Sequence, residues 1–108
     1  MELKNIRLAD LFKSAAENLA PQLSIWRRHL HSHPELSYEE YETMKYVSGE
    51  LDKMGVSHTS GVANTGIVAH IKGSKGNSDK SIGLRADFDA LPMPEKNNFD
   101  HKSSHQGM

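Results

Sequence analysis

An apolar run leads into two carboxylates where the chain reads Ser81-Ile82-Gly83-Leu84-Arg85-Ala86-Asp87-Phe88-Asp89-Ala90-Leu91-Pro92. Ile82, Leu84 and Ala86 alternate with other residues, which predicts a buried strand over 81–87. Side chains two residues apart on an extended strand point to the same side. Asp87 and Asp89 are therefore expected about 7 Å apart along the chain, on one rim of a sheet.

The residues before this strand predict further β structure. A polar loop at 72–80 contains Gly73-Ser74-Lys75-Gly76. It lacks the full spacing of a phosphate loop and precedes a strand, so it is interpreted as a hairpin loop. Earlier strands are predicted at Val56–Thr59 and Ile67–Ile71, with a turn at Gly61–Gly66.

Three helices are predicted before the strands. The first spans Ile6 to Leu19, because apolar residues recur there every three or four positions. Pro21 marks a break or a fresh start, and a second helix runs to about His31 before Pro34 ends it. The third helix begins at a capping box, Ser37-Tyr38-Glu39-Glu40. Its apolar stripe comprises Met44, Val47, Leu51 and Met54, and Gly55 terminates it.

Composition narrows the function classes. The 108 residues carry 13 basic and 14 acidic side chains and no cysteine. A net charge of −1 provides no field for nucleic acid or an anionic membrane, and the missing cysteines exclude disulfides and thiolate ligands. The start of the chain lacks the apolar core of a signal peptide, and no apolar run reaches membrane length, so a cytoplasmic protein is expected. Residues 97–108 are polar and aperiodic, which predicts no regular structure there.

Two groups of side chains invite a functional interpretation. A carboxylate in a metal-assisted hydrolase orients a ligand or handles a proton, and Asp87 or Asp89 could serve in this way, although Asp-x-Asp before proline is also ordinary turn composition. His29, His31 and His33 form a His-x-His-x-His run, but on a helix only His29 and His33 lie close together. Surface or capping histidines are therefore favoured over a metal site. Solvated or hydrogen-bonded histidines are also favoured at the other positions, His58, His70, His101 and His105. Trp26 and the Met44–Met54 stripe are predicted to be core.

Three ordered blocks resemble the aminoacylase-type metallopeptidases. They are Trp26-Arg27-Arg28-His29-Leu30-His31-Ser32-His33-Pro34-Glu35-Leu36-Ser37-Tyr38-Glu39-Glu40, Asn64-Thr65-Gly66-Ile67-Val68-Ala69, and Leu84-Arg85-Ala86-Asp87-Phe88-Asp89-Ala90-Leu91-Pro92-Met93-Pro94-Glu95. The most similar branch includes hippurate hydrolase, N-acyl-L-amino-acid amidohydrolase and the plant auxin-conjugate hydrolases.

The resemblance implies an α/β fold in which helices are followed by the first strands of a central sheet. It implies that residues 1–108 are a partial N-terminal segment of a dinuclear catalytic domain, without the lid domain. The family cleaves small N-acyl amino acids with two divalent ions, Zn or Mn. Asp89 matches the family's catalytic-site aspartate. Asp87 stands where the wider family has a histidine ligand, so it is not assigned to the metal.

The family's next motif, His-Ala-Cys-Gly-His-Asp, is absent from these 108 residues. The isolated chain is therefore expected to bind no metal pair and to be inactive. Its polar composition and missing sheet neighbours predict a marginal fold. One alternative is a small non-enzymatic α/β binding or interaction module that presents its open sheet edge to a partner. Another is a histidine metal-binding protein that uses His29, His31 and His33.

Overall fold

The computed structural model describes residues 7–108, which form two helices followed by an antiparallel hairpin. The first helix, α1, spans Leu8–Ser32 without interruption. The predicted break at Pro21 is therefore wrong, and the predicted start at Ile6 lies outside the described residues. Proline removes one amide donor and crowds the carbonyl of Glu17. Because both residues are exposed, solvent can satisfy that carbonyl.

Helix α1 is long and weakly covered. None of its residues is buried, and its first half exposes large apolar side chains such as Leu8 and Phe12, each 67% exposed. The described chain measures 55 × 32 × 21 Å, with a radius of gyration of 17.6 Å. A compact domain of this length has a radius of gyration of about 13 Å. The exposed first half of the helix therefore projects from the rest of the molecule.

Helix α2 spans Tyr41–Lys53 and ends as predicted. Gly55 has a φ of +70°, its amide donates to the Asp52 carbonyl at 3.0 Å, and the Val56 amide donates to Leu51, also at 3.0 Å. This pair of bonds is a Schellman motif, which requires the left-handed conformation that glycine adopts most easily.

The start of α2 differs from the predicted capping box. The N-cap residue is Glu40, and its side chain makes no capping hydrogen bond to the helix. Ser37 lies outside the helix, because Tyr38 takes a positive φ of 65° and the chain turns before Glu40. The first free amides of α2 are satisfied from a distance by the Glu35 carboxylate instead.

Strands β1 (His58–Val62) and β2 (Gly66–Ala69) form a two-stranded antiparallel sheet. Ala63 and Asn64, two of the three residues that connect the strands, both have positive φ, as chain reversals in hairpins often require. Packing requires glycine at position 66, because a Cβ there would lie 2.6 Å from the Val62 carbonyl oxygen. The turn between these strands is confirmed, and the strand ends are shifted from those predicted.

The predicted strand over 81–87 is wrong for the described structure. Residues 81–87 form no ladder, and Ile82 and Leu84 are 90% and 95% exposed. The loop at 73–76 consequently closes no hairpin. An apolar alternating segment becomes a strand only when another strand accepts its hydrogen bonds, and β2 pairs with β1 alone.

Apart from Pro34, the described residues bury no apolar side chain, so they form no hydrophobic core. Trp26, Met44, Val47 and Leu51 are half-buried and Met54 is exposed, so the prediction that they form a core is wrong at this level of burial. No helix or strand forms over 97–108, as predicted. Neither described helix combines the length and apolar character that crossing a bilayer requires.

Candidate active-site loop

The loop that carries the two carboxylates docks on the connection between the helices. The Ala90 amide donates to the Glu35 carbonyl at 2.8 Å, and Leu36 and Ala90 form an isolated parallel bridge. Asp89 directly precedes this anchored residue. The backbone around Asp89 is thereby tied to the segment that follows α1.

A side-chain contact ties the other end of the same loop to α1. The His31 Nε2 and Glu95 Oε1 atoms lie 2.8 Å apart, across 64 residues of sequence. Glu95 is 19% exposed and His31 35% exposed at the side chain. The hydrogen bond from His31 lowers the pKa of Glu95, against a smaller opposing effect of desolvation. The carboxylate is therefore held in its charged form.

An open groove of about 1150 Å³ lies between the loop and α1. Both Asp87 and Asp89 line it, so the structure brings the predicted carboxylates to one surface. Apolar side chains form much of the wall, including Trp26, Leu30 and Phe88. The combination of an apolar wall and a few polar groups is typical of small-molecule sites.

The two carboxylates differ in their surroundings. Asp87 forms an ion pair with Arg85, with a separation of 2.8 Å between Nη2 and Oδ1, and both side chains are largely exposed. Asp89 is exposed in the groove beside the anchored Ala90. Exposed ion pairs of this kind contribute little to stability. Arg85 is therefore a charge partner of Asp87 and not an important stabilising contact.

Residues 7–108 contain no group of three or more His, Cys, Asp or Glu side chains placed to hold a metal ion. A dinuclear centre needs several ligands on each ion, with fixed geometry. The described residues therefore do not by themselves fit such a centre, and Asp89 remains a predicted site residue without an assigned metal contact.

The His-x-His-x-His run separates into two environments, as helical geometry predicts. His29 and His33 stack with ring centroids 4.4 Å apart, and His29 also stacks on Tyr46 at 3.8 Å. Burial lowers the pKa of His29, and the neighbouring His33 lowers it further. The His33 Nδ1 donates to the His29 carbonyl at 2.8 Å, so His33 caps the end of α1. His31 points elsewhere, to Glu95.

The histidines outside this run fall into structural roles. His58 is 8% exposed at its side chain, with Nδ1 2.9 Å from the Val56 carbonyl. Since a carbonyl only accepts, Nδ1 donates to it, and Nε2 lies 2.6 Å from the Ser48 hydroxyl oxygen. His101 stacks on Phe99 at 3.9 Å. The prediction of hydrogen-bonded histidines is confirmed for His58.

Sequence reasoning missed the structural importance of Glu35. Its carboxylate accepts from the Thr43 hydroxyl at 2.6 Å and from the amides of Glu42 and Thr43. Desolvation raises the pKa of Glu35, but these hydrogen bonds together outweigh it, and the pKa lies below its ordinary value. Glu35 thus caps α2 with its side chain and receives Ala90 with its carbonyl. The only local signal was its place directly after the proline that ends α1.

A buried pair was also missed. Glu40 and Thr65 are 7% and 5% exposed, and the Thr65 hydroxyl donates to the Glu40 carboxylate at 2.6 Å. The predicted capping box of Ser37 and Glu40 is therefore wrong. Nothing in local spacing indicates a partner 25 residues away.

The chain is similar in sequence to several hydrolases. The chain is 40% identical over all of its 108 residues to a probable hydrolase of Synechocystis, of which it covers 25%. It is 48% identical over 81 residues to the IAA-amino acid hydrolase ILR1-like 5 of Arabidopsis thaliana, and covers 18% of that protein. It is 46% identical over 102 residues to thermostable carboxypeptidase 1 of Saccharolobus solfataricus, and covers 25% of it. No family model matches the chain.

A solved structure agrees with these relatives. The crystal structure of the Bacillus subtilis YXEP protein, a dinuclear metal-binding peptidase of the M20 family, matches with a TM-score of 0.75 and 36% identity, over 84% of this chain and 25% of that one. The chain is therefore homologous to part of a group of hydrolases that includes a dinuclear metal-binding peptidase. Within that group, the resemblance to the aminoacylase-type metallopeptidases and the predicted α/β fold are confirmed. The chain spans between 18% and 25% of the length of the first relatives.

Proposed function

We propose that these residues form part of the catalytic domain of a metal-dependent amidohydrolase that cleaves the amide bond of N-acyl amino acids. The observation that carries this proposal is the groove of Asp87 and Asp89, within a segment that shares its fold with a dinuclear metal-binding peptidase. The IAA-amino acid hydrolases among the relatives support an N-acyl amino acid substrate.

Asp89 is the residue that we propose as catalytic. It lies in the groove, beside a backbone anchor that limits its movement. A carboxylate in this position can accept a hydrogen bond from a ligand group and orient it, or hold a proton during amide cleavage. The proposal includes two divalent ions, Zn or Mn. The described residues do not provide the ligand set of these ions.

Two kinds of protein test the proposal. The first is the 108-residue chain alone, which we expect to be inactive toward hippurate and N-acetyl amino acids even with added zinc or manganese. The second is a hybrid in which the chain replaces the matching segment of the Synechocystis hydrolase. We expect the hybrid to release the free amino acid from N-acyl substrates. Cleavage of peptides alone would instead favour the carboxypeptidase activity named for one relative.

In this hybrid, Asp89→Asn should lower kcat/KM by about 100-fold or more, the range typical of a lost acid or base group. The matched control is Asp79→Asn, which makes the same change on an exposed loop. We expect Asp79→Asn to stay within about twofold of the parent hybrid, as surface changes commonly do. Equal activity of the two variants would refute the role of Asp89.

A further inference from the structure

The loop from Asp89 to Glu95 is held at both ends. At one end, the Ala90 amide bonds to the Glu35 carbonyl at 2.8 Å. At the other, Glu95 bonds to His31 at 2.8 Å. Both partners belong to the last turn of α1 or to the segment directly after it. The two contacts together fix the loop relative to one helix end.

The chain between the two contacts is stiff. Pro92 and Pro94 each lock one backbone angle, and the Met93 amide donates to the Leu91 carbonyl at 2.8 Å. A stiff connection transmits position from one end to the other better than a flexible one. A displacement of Glu95 is therefore expected to change the position of Asp89 through the intervening residues.

The His31 ring also has two aromatic neighbours in the polar tail, residues 97–108. The Phe99 ring lies 5.6 Å from the His31 ring, and His101 lies edge-on at 5.8 Å. The Ser104 hydroxyl and amide both donate to the Ser32 carbonyl, at 2.6 and 2.9 Å, which holds this polar tail against the end of α1. His31 is thus restrained by its helix and by the aromatic rings of the tail.

We propose that His31 and Glu95 are a positioning pair that holds the Asp89 loop against the end of α1. This inference rests on the proposed function for its catalytic meaning, because it concerns the placement of Asp89. Neither residue contacts the reacting atoms in this proposal. Each acts through the loop, His31 as a hydrogen-bond donor on a fixed helix and Glu95 as the acceptor.

Amide hydrogen exchange of the full 108-residue chain tests the contact without any activity. His31→Ala should raise the exchange rate of the Ala90 amide about tenfold, and Glu95→Ala should do the same. The double variant should equal either single variant, because both remove one contact. His31→Gln keeps a donor and should stay within about threefold of the parent chain.

A merely structural role predicts a different pattern. General destabilisation would also raise exchange in α2, for example at Met44 and Val47, whereas the proposal confines the change to the loop. His70→Ala is the matched control, since His70 is exposed and lies outside the groove. An unchanged Ala90 amide in His31→Ala, or an equal rise throughout α2, would overturn the proposal.

The hybrid hydrolase tests the catalytic consequence. His31→Ala should lower kcat about tenfold with KM within about twofold, and His31→Gln should recover most of the loss. An equal fall in both variants would overturn the positioning role. If the parent hybrid is inactive, the proposed function fails while the exchange result still decides whether the loop is held by this pair.

Discussion

At the scale of single residues, the most constrained polar contact is the one between Glu40 and Thr65. Both are buried, and they join the start of α2 to the turn of the hairpin. A buried carboxylate that loses its partner keeps its desolvation cost and gains nothing in return. This contact therefore matters more than the exposed ion pairs on α1 and α2.

We predict that Thr65→Val lowers the free energy of unfolding by about 2 kcal/mol, because it removes the hydroxyl and leaves Glu40 without that donor. The shift of the urea midpoint, followed by far-UV circular dichroism, measures this cost. Thr59→Val makes the same change at an exposed strand position and should stay within about 0.5 kcal/mol. Equal costs at the two threonines would contradict the assigned role.

Glu35 illustrates what a sequence pattern can and cannot reveal at this scale. Pro34 predicted correctly that α1 ends nearby, since proline disfavours a helical residue before it. The pattern could not indicate that the next side chain caps a helix that begins at Tyr41. That contact depends on the path of the chain through Leu36 and Tyr38, which only the folded structure defines.

At the scale of elements, local signals worked where one backbone conformation decides the outcome. Gly55 ended α2 as predicted because its positive φ is costly for any other residue. Pro21 did not end α1, because an exposed helix can solvate the carbonyl that proline leaves free. The predicted capping box did not form, because the amides of Glu42 and Thr43 donate to the Glu35 carboxylate instead.

Two glycine substitutions on the same element should act in opposite directions. Gly55→Ala forces a side chain into the left-handed region and should destabilise by about 1 kcal/mol. Gly49→Ala lies inside α2 and should stabilise by about 0.5 to 1 kcal/mol, since alanine favours helix. Neither new methyl group meets an atom within 4 Å, so differences in packing do not contribute to the two stability changes. Urea unfolding measures both, and shifts of the same sign would contradict the backbone argument.

At the scale of the whole molecule, Pro34 is the one buried apolar side chain among the described residues, and Ile82 and Leu84 are almost fully exposed. Hydrophobic burial is the main favourable term in folding. The isolated chain is accordingly expected to be marginally stable. A cooperative thermal transition well above room temperature would contradict this expectation.

Leu84→Asp should affect the stability of the isolated chain and of the hybrid hydrolase differently. In the chain, Leu84 is 95% exposed, so the substitution should change the free energy of unfolding by less than about 0.5 kcal/mol. In the hybrid, a neighbouring strand is expected to cover Leu84, and burying an unpaired charge should prevent folding. Circular dichroism of both proteins measures the contrast, and tolerance in the hybrid would show that this face stays open. Leu51→Asp, at a half-buried position of α2, should destabilise both.

The sequence by itself determined the features that depend on neighbouring residues: the helix periodicities, the turn between β1 and β2, the glycine end of α2, and the ordered motifs that indicated the hydrolase class. Tertiary structure alone decided the contacts of Glu35, the burial of Glu40 with Thr65, and the link between His31 and Glu95. It also decided that residues 81–87 do not form a strand here. Backbone preferences act within a few residues, whereas hydrogen-bond partners and strand neighbours come from distant parts of the chain. Their contribution appears only when the fold brings them together.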